Sequence, residues 1–403
     1  MRVLALGGPG AMGAAAVHTA VTLPDIDEIV IADRDLAAAR RLANRLAYAP
    51  MPIRAIEVDV TDDERLRRAL SAADVVLNTV GPYYRFGPAV LRAAITTGTH
   101  YLDICDDWEP TERLLELDHE ARDQGVCAII GMGASPGMSN LLAAVAAAEL
   151  ETVRDVYTAW PVDMDAEDKD LLLPPGGTPS AAAVHWMQQS SGTIRVVEAG
   201  RLTDRRPLAP TSLRLPGGRR GTAYTVGHPE PITLRHSLKA SGDAATLMVV
   251  TPWTLAYLEV LRRDIDGGRL TNDTAARALA EPTLSRLLRS VPIALRTKGP
   301  GTLPAFFAAV TGSAHGRELT VLACLNMALP ATDPARGLLG DMARATGIPL
   351  ALGMSQLADG SALRPGVHPP ETAIDPVRFF SDLDRVLGRD SDTPLYRIER
   401  EAG

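Results

Sequence analysis

Residues Gly8-Pro9-Gly10-Ala11-Met12-Gly13 have the types and spacing to hold a pyrophosphate. The run follows an apolar strand pattern at 3–6 and opens a helical pattern at 11–23, the context that gives a GxGxxG its meaning. Gly8 permits the tight turn, Gly10 lets the backbone approach the phosphates, and Gly13 lets the helix pack on the strand. The amides of Ala11 and Met12 fall in the first helical turn, where N–H groups lack intrahelical partners and favour an anion. Asp33 ends a second strand twenty residues past Gly13. A carboxylate there accepts from the adenosine ribose hydroxyls and disfavours a 2′-phosphate. Arg34 follows, and its guanidinium tolerates that phosphate. The expected cofactor is therefore NAD, with NADP admitted. Asp59 and Val60 end a third strand at the adenine edge. Asn78 ends a fourth, and Val80, Gly81 and Tyr83 are expected to flank the nicotinamide ribose, because strand carboxyl ends border the ligand crevice of such sheets.

A second set of residues suits proton transfer and charge binding. Asp103, Asp106 and Asp107 follow a fifth strand, and strand-end carboxylates are natural anchors for a cation. One of them also serves to cap the next helix. In Gly227-His228-Pro229-Glu230-Pro231 two prolines stiffen the placement of an imidazole and an acid, and His titrates near neutral pH. The alternative for His228 and Glu230 is a structural turn. Asp103, Asp106, His228 and Glu230 form the expected catalytic set. Arg85 is a candidate partner for a substrate carboxylate or a surface charge. Asp107, Ser135, Pro136, Gly137 and Asn140 complete the expected substrate side. His100 is expected to be internal, and His185 and Trp186 to pack in a core or a dimer contact. Lys occurs only at 169, 239 and 298, which limits any lysine base to three candidates.

The elements that position these residues alternate strand and helix over the first ~150 residues, which implies a parallel sheet. After residue 151 the rhythm changes to an α+β pattern, with strand-like pieces at 153–160, 192–198, 222–226 and 245–250. Pro/Gly-rich loops are expected at 173–180 and 205–222, and helices at 252–264 and 271–290. The end is expected to be mostly helical, with turns at Gly347 and at Pro365-Gly366. The expected architecture is an N-terminal Rossmann doubly wound sheet (1–141), an inserted α+β substrate and dimerisation domain (142–335), and a helical segment returning to the first domain (336–403).

Apolar residues make up 46% and charged residues 22% of the 403, ordinary for a chain that buries a large core. A net charge of −8 speaks against nucleic acid, whose phosphates need a basic face. The three cysteines have no metal-ligand spacing, so no metal is expected, and Cys127 and Cys324 read as buried thiols. No leader pattern and no stretch of membrane-spanning length is apparent, so a cytoplasmic location is expected.

These motifs resemble the saccharopine dehydrogenase/reductase superfamily. Ala73-Asp74-Val75-Val76-Leu77-Asn78 with Gly81-Pro82-Tyr83 matches its fourth strand, and Gly98-Thr99-His100-Tyr101-Leu102-Asp103 its fifth. Gly133-Ala134-Ser135-Pro136-Gly137-Met138-Ser139-Asn140 matches its entry to a domain-crossing helix. Thr346-Gly347-Ile348-Pro349 and Gly366-Val367-His368-Pro369-Pro370 resemble its C-terminal signature. The N-terminal half looks most similar to lysine 6-dehydrogenase-like proteins. The resemblance implies hydride transfer at a carbon bearing nitrogen, on an amino acid or polyamine-like substrate; a homodimer is expected. Ser135 stands where saccharopine reductases often carry an acid. Two alternatives stay open: C=C reduction, as in the trans-acting enoyl reductases, and a dinucleotide-binding sensor without turnover.

Overall fold

The computed structural model describes residues 1–162, 179–326, 333–335, 337–389 and 394–402. The chain divides into two units, residues 1–141 with 328–395 and residues 142–327 with 396–403. Lys169 and the expected loop at 173–178 lie outside the described residues.

The first unit runs β1 (Arg2–Leu6), α1 (Ala11–Ala20), β2 (Glu28–Asp33), α2 (Leu36–Arg45), β3 (Ile53–Glu57) and α3 (Asp63–Ser71). It continues through β4 (Val75–Asn78), α4 (Tyr83–Thr97), β5 (His100–Asp103), α5 (Trp108–Leu115), α6 (Asp118–Asp123) and β6 (Cys127–Ile129) to α7 (Met138–Ala147). These strands pair in parallel. Strands covered on both faces read as continuous apolar runs, and β4 is buried at every position. Asp35 and Asp62 cap α2 and α3 by accepting from the amides of Ala38 and Arg65, which satisfies donors that have no partner inside the helix. The strand order 3-2-1-4-5-6 reverses between β1 and β4. Ligands bind beyond the carboxyl ends of the strands at such a reversal. The charged stretch 109–124 forms two helices, α5 and α6, separated at Glu116 and Leu117.

The second unit comprises β7 (Thr152–Pro161), α8 (Ala181–Gln189), β8 (Ile194–Glu198), β9 (Arg201–Arg205), β10 (Pro210–Leu215) and β11 (Arg219–Thr225). After these come α9 (Glu230–Ser237), β12 (Ala244–Val249), α10 (Pro252–Asp266), α11 (Asn272–Ala280), α12 (Leu284–Ala294), β13 (Phe307–Ala314) and β14 (Arg317–Leu325). Their sheet runs β10-β11-β12-β7-β13-β14, with β8 and β9 attached through β12. It is mixed, because β12 and β7 pair in parallel while the other pairings are antiparallel. Side chains alternate between its faces. Tyr224, Met248 and Val250 join the core that includes α10 and α11, while Ala223, Leu247, Phe307 and Leu322 form the core of the other face.

Two expectations change here. The segment 205–222 is not a loop: it holds β10 and β11, joined at Gly217 and Gly218, both left-handed. Two successive residues at positive φ make the tight turn that matches strand twist, and the largely exposed β10 gave no apolar pattern to read. The helix expected at 271–290 breaks into α11 and α12 around Pro282, since proline disfavours helical geometry in the residue before it.

The chain then returns to the first unit with α13 (Met342–Ala358), β15 (Gly366–His368), α14 (Pro370–Ala373) and α15 (Pro376–Val386). β15 extends the parallel sheet beside β6. Gly347 does not make the expected turn but lies inside α13. A Cβ there would stand 2.4 Å from the Met12 carbonyl and 2.7 Å from Ala15 Cβ, so glycine is what lets α13 lie against α1. The expected helical end also changes, because β16 (Tyr396–Ala402) is a strand that pairs antiparallel with β14 in the second unit.

Candidate active site

The turn after β1 is shaped by close approach. Gly7 is left-handed, and a Cβ on Gly13 would stand 2.6 Å from the Gly7 carbonyl and 2.8 Å from Thr79 Oγ1. At Gly10 a Cβ would meet only the Gly7 carbonyl, at 3.2 Å. The backbone is therefore packed on the β4 side and open beside Gly10. The first intrahelical bond of α1 is Ala14 N to Gly10 O at 2.7 Å, so the amides of Ala11, Met12 and Gly13 precede the ladder. No side chain caps α1, and no acid stands in its first turn. This end of α1 suits an anion, and the residues fit a dinucleotide pyrophosphate.

At the adenine end, Asp33 Oδ1 accepts from the Asp35 amide at 2.8 Å, while Arg34 and Asp59 are exposed. The Asp59 carboxyl is held below its usual range, first by the Thr61 amide and then by its hydroxyl, with the Arg34 charge adding to the effect. Val60 is half-buried beside them.

Several residues expected to touch ligand instead brace the strand ends. Asn78 is fully buried, and its Nδ2 donates to Tyr101 Oη at 2.9 Å. Its Oδ1 accepts from the Val80 amide at 3.1 Å, and its carbonyl from Tyr83 Oη at 2.7 Å. Tyr101 Oη in turn donates to Asp103 Oδ2 at 2.7 Å. Asp103 Oδ1 accepts from the amides of Cys105 at 3.0 Å and Gly131 at 2.7 Å. Burial raises the Asp103 carboxyl to about 6, against the lowering effect of these bonds. Asn78, Tyr83 and Asp103 thus make internal bonds that brace the strand ends, as buried polar groups turn toward partners. Val80 and Gly81 lie at the open end of β4, and Arg85 is exposed with its guanidinium 5.0 Å from the Phe86 ring.

Past β5, Asp106 is half-buried and Asp107 buried at the start of α5. Asp107 takes the N-cap position, but its side chain does not make the capping bond. The loop 131–140 is folded tightly. A Cβ on Gly137 would stand 1.9 Å from the Gly133 carbonyl, so only glycine closes it. Pro136 follows a cis peptide bond, as does Pro82. Asn140 Oδ1 accepts from the Gly137 amide at 3.1 Å, and its Nδ2 donates to Glu371 Oε2 at 2.8 Å. Asn140 therefore holds the loop, while half-buried Ser135 sits at its bend. Glu371 was not anticipated. Its signal was its place directly after Pro370, at the end of the C-terminal motif.

The first unit therefore gathers the glycine turn, the β4 end, Asp106, Asp107 and Ser135 at the carboxyl edge of one sheet. His228 and Glu230 belong to the second unit. Both are buried, with Nδ1 and Oε2 3.4 Å apart, and the Trp160 ring lies 5.6 Å from the imidazole. His100 is half-buried, its Nδ1 accepting from the Cys127 amide at 3.1 Å, and the three cysteines are buried free thiols.

Residues 3–129 match the model of the saccharopine dehydrogenase NADP binding domain. Saccharopine dehydrogenase [NADP(+), L-glutamate-forming] of Saccharomyces cerevisiae is 32% identical over 152 residues, 38% of this chain and 30% of that protein. Carboxyaminopropylagmatine dehydrogenase of Synechocystis sp. is 25% identical over 146 residues, 34% of this chain and 36% of that protein. The matches thus span about a third of these relatives' length. The solved structure of apo saccharopine dehydrogenase (L-Glu forming) from Saccharomyces cerevisiae covers 100% of this chain and 99% of its own, with a TM-score of 0.61 at 18% identity, which shows a shared fold. The glycine turn and the sheet around it thus define a dinucleotide-binding fold of the NAD(P) class. Its residues 3–129 are similar to the saccharopine dehydrogenase NADP binding domain, and the chain shares the fold of that enzyme.

Proposed function

We propose that the protein carries out NAD(P)-dependent hydride transfer at a carbon–nitrogen centre of an amino acid or polyamine-like substrate. The observation that carries this reading is the placement of Asp106 and Asp107 at the same sheet edge as the glycine turn. Carboxylates there suit an ammonium or iminium and serve no purpose for an alkyl chain. The cofactor supplies hydride exchange. Gly8, Gly10, Ala11, Met12 and Gly13 hold its pyrophosphate, with Asp33, Arg34, Asp59 and Val60 toward adenosine and Val80 and Gly81 toward the nicotinamide. In the first unit Asp106 is the candidate anchor for a cationic nitrogen, and in the second unit His228 with Glu230 is the candidate proton-handling pair. Arg85, Asp107, Ser135, Pro136 and Gly137 form the remaining substrate side. The names of the two curated relatives, which act on amino-acid and agmatine-derived compounds, support this class.

The test is absorbance at 340 nm with NADP+ or NAD+ and a panel of amines, and with NADPH or NADH and keto acids plus amines. Asp106→Asn and His228→Ala are each expected to lower kcat far more than cofactor affinity. Cofactor binding without turnover on any member of the panel leaves a sensor.

We further propose a cytoplasmic homodimer. Among the described residues no helix is long and apolar enough to cross a membrane, and a reducing compartment keeps buried thiols free. The dimer face is α12, which buries Ser290 and Ala294 but exposes Leu284, Leu287, Leu288, Val291 and Leu295 along one stripe, with Trp253 also exposed. Arg286 and Arg289 on the same helix are tied to the buried Asp264. Two copies can therefore meet across a two-fold axis with those charges offset.

A further inference from the structure

Close approaches fix how α13 lies on the first unit. A Cβ on Gly347 would stand 2.7 Å from both Ala15 Cβ and the Ala16 nitrogen, which sets this residue against the first turns of α1. A Cβ on Gly133 would stand 3.1 Å from Thr346 Cγ2, and one on Gly353 would stand 2.7 Å from Met132 Cγ and 3.3 Å from Leu102 Cδ2. Beyond the helix, the Ala362 carbonyl accepts from Cys127 Sγ at 3.5 Å, where β6 begins. Helix α13 therefore starts beside the loop that leaves β6 and descends to the level at which β6 starts. It runs from the carboxyl edge of the sheet to the amino edge, as α1 does, so the two helices lie side by side and parallel.

Helical geometry then places Arg344. Each residue of an α-helix adds a rise of about 1.5 Å and a rotation of about 100°. Gly347 is level with Ala15 and Ala16, so Arg344 lies about 4.5 Å nearer the carboxyl edge, beside the start of α1. Arg344 is rotated about 60° from the direction in which Gly347 meets α1, while Thr346 and Gly353 are rotated about 100–120° the other way, toward the sheet and its loop. It thus stands on the side of α13 that faces α1 and solvent. The residue is exposed, and its guanidinium makes no hydrogen bond or ion pair among the described residues. Asp341, the cap of α13, accepts from the Arg344 amide at 3.0 Å.

The glycine turn beside it offers backbone donors and no full positive charge, because residues 7–17 contain no basic side chain. A diphosphate brings two negative charges to that turn. Arginine presents a planar fork that can engage two phosphate oxygens at once.

We infer that Arg344 binds the cofactor diphosphate from α13, across from the amides of the glycine turn. The inference rests on the dinucleotide reading of Gly8–Gly13 and is independent of the chemistry proposed at a carbon–nitrogen centre.

The test reads binding by the full chain. Dissociation constants of NADP+, NAD+ and ADP-ribose are measured by calorimetric titration for the wild type, Arg344→Gln and Arg344→Lys. All three ligands contain the diphosphate, so Arg344→Gln is expected to weaken each at least about tenfold and by similar factors. Arg344→Lys keeps the charge without the fork and is expected to recover part of the loss. The gap between wild type and Arg344→Gln is expected to narrow as salt rises from about 0.05 M to about 0.5 M, because exposed charges are screened. The ligand-free melting temperature is expected to stay the same in both variants, since the guanidinium holds nothing in the fold. Unchanged dissociation constants in Arg344→Gln overturn the assignment. Weakening confined to NADP+ overturns it too, by placing the guanidinium on the 2′-phosphate, and a lowered ligand-free melting temperature overturns it in favour of a structural role. A wild type that binds none of the three removes the dinucleotide site itself. The expected shifts without turnover of any amine keep Arg344 on the diphosphate and remove only the proposed reaction.

Discussion

The Asp103 carboxylate accepts the Gly131 amide at 2.7 Å, so one side chain ties the end of β5 to the segment leaving β6. Burial raises this carboxyl from 3.8 to about 6. A carboxyl raised in the folded state is more readily protonated folded than unfolded. Its contribution to stability is therefore complete below about pH 4 and is lost as pH rises through about 6. The stability of the wild type relative to Asp103→Asn is expected to fall by roughly 3 kcal/mol between pH 4 and pH 7. Urea midpoints of the two proteins across that range read the difference. A constant difference would show that Asp103 does not titrate there.

The two glycines of the turn are expected to fail differently. Gly13→Ala places a methyl against the Gly7 carbonyl and Thr79 and should cost about 1–3 kcal/mol of stability. Gly10→Ala meets only the Gly7 carbonyl, at 3.2 Å, so it should cost less stability than Gly13→Ala while NAD(P) affinity falls at least about tenfold. Calorimetric titration beside thermal melts separates the two. Equal loss of stability in both variants would contradict the looser packing at Gly10.

Cofactor choice is expected to divide between adjacent residues. Arg34→Ala should weaken NADP+ more than NAD+, because the exposed guanidinium is the cation placed for a 2′-phosphate. Asp33→Ala should weaken NAD+ more than NADP+, by removing a ribose acceptor. Dissociation constants for both cofactors in three proteins decide it, and parallel shifts in either variant would count against the assignment.

Leu288→Arg puts a charge at the centre of the α12 stripe, where a two-fold axis would bring it against its own copy. Light scattering after size-exclusion chromatography should report a dimer for the wild type and a monomer for the variant, with little change in far-ultraviolet circular dichroism. A wild-type monomer across micromolar concentrations would remove this face.

The first unit was largely legible because a parallel sheet writes itself as apolar runs closed by glycine or acid, as at β1, β2 and β5. The inserted sheet was only partly so. β9 and β10 are mostly exposed, so no apolar pattern marks them, and the Gly217-Gly218 turn looked like a loop. Gly347 was misplaced because its reason is a backbone on another helix, which no local pattern reveals. At the site, sequence position identified the strand ends but not the direction of the side chains. Asn78, Tyr83, Asp103 and Asn140 all stand where ligand residues would, and each is turned inward by a partner distant in sequence.

The pairing of β16 with β14 bears on how the protein is made. During synthesis β14 emerges about seventy residues before β16, and until then its nine residues present an unpaired strand edge. Such edges recruit other chains. The second unit is therefore most exposed to aggregation while still on the ribosome, and removal of Tyr396–Ala402 would make that interval permanent.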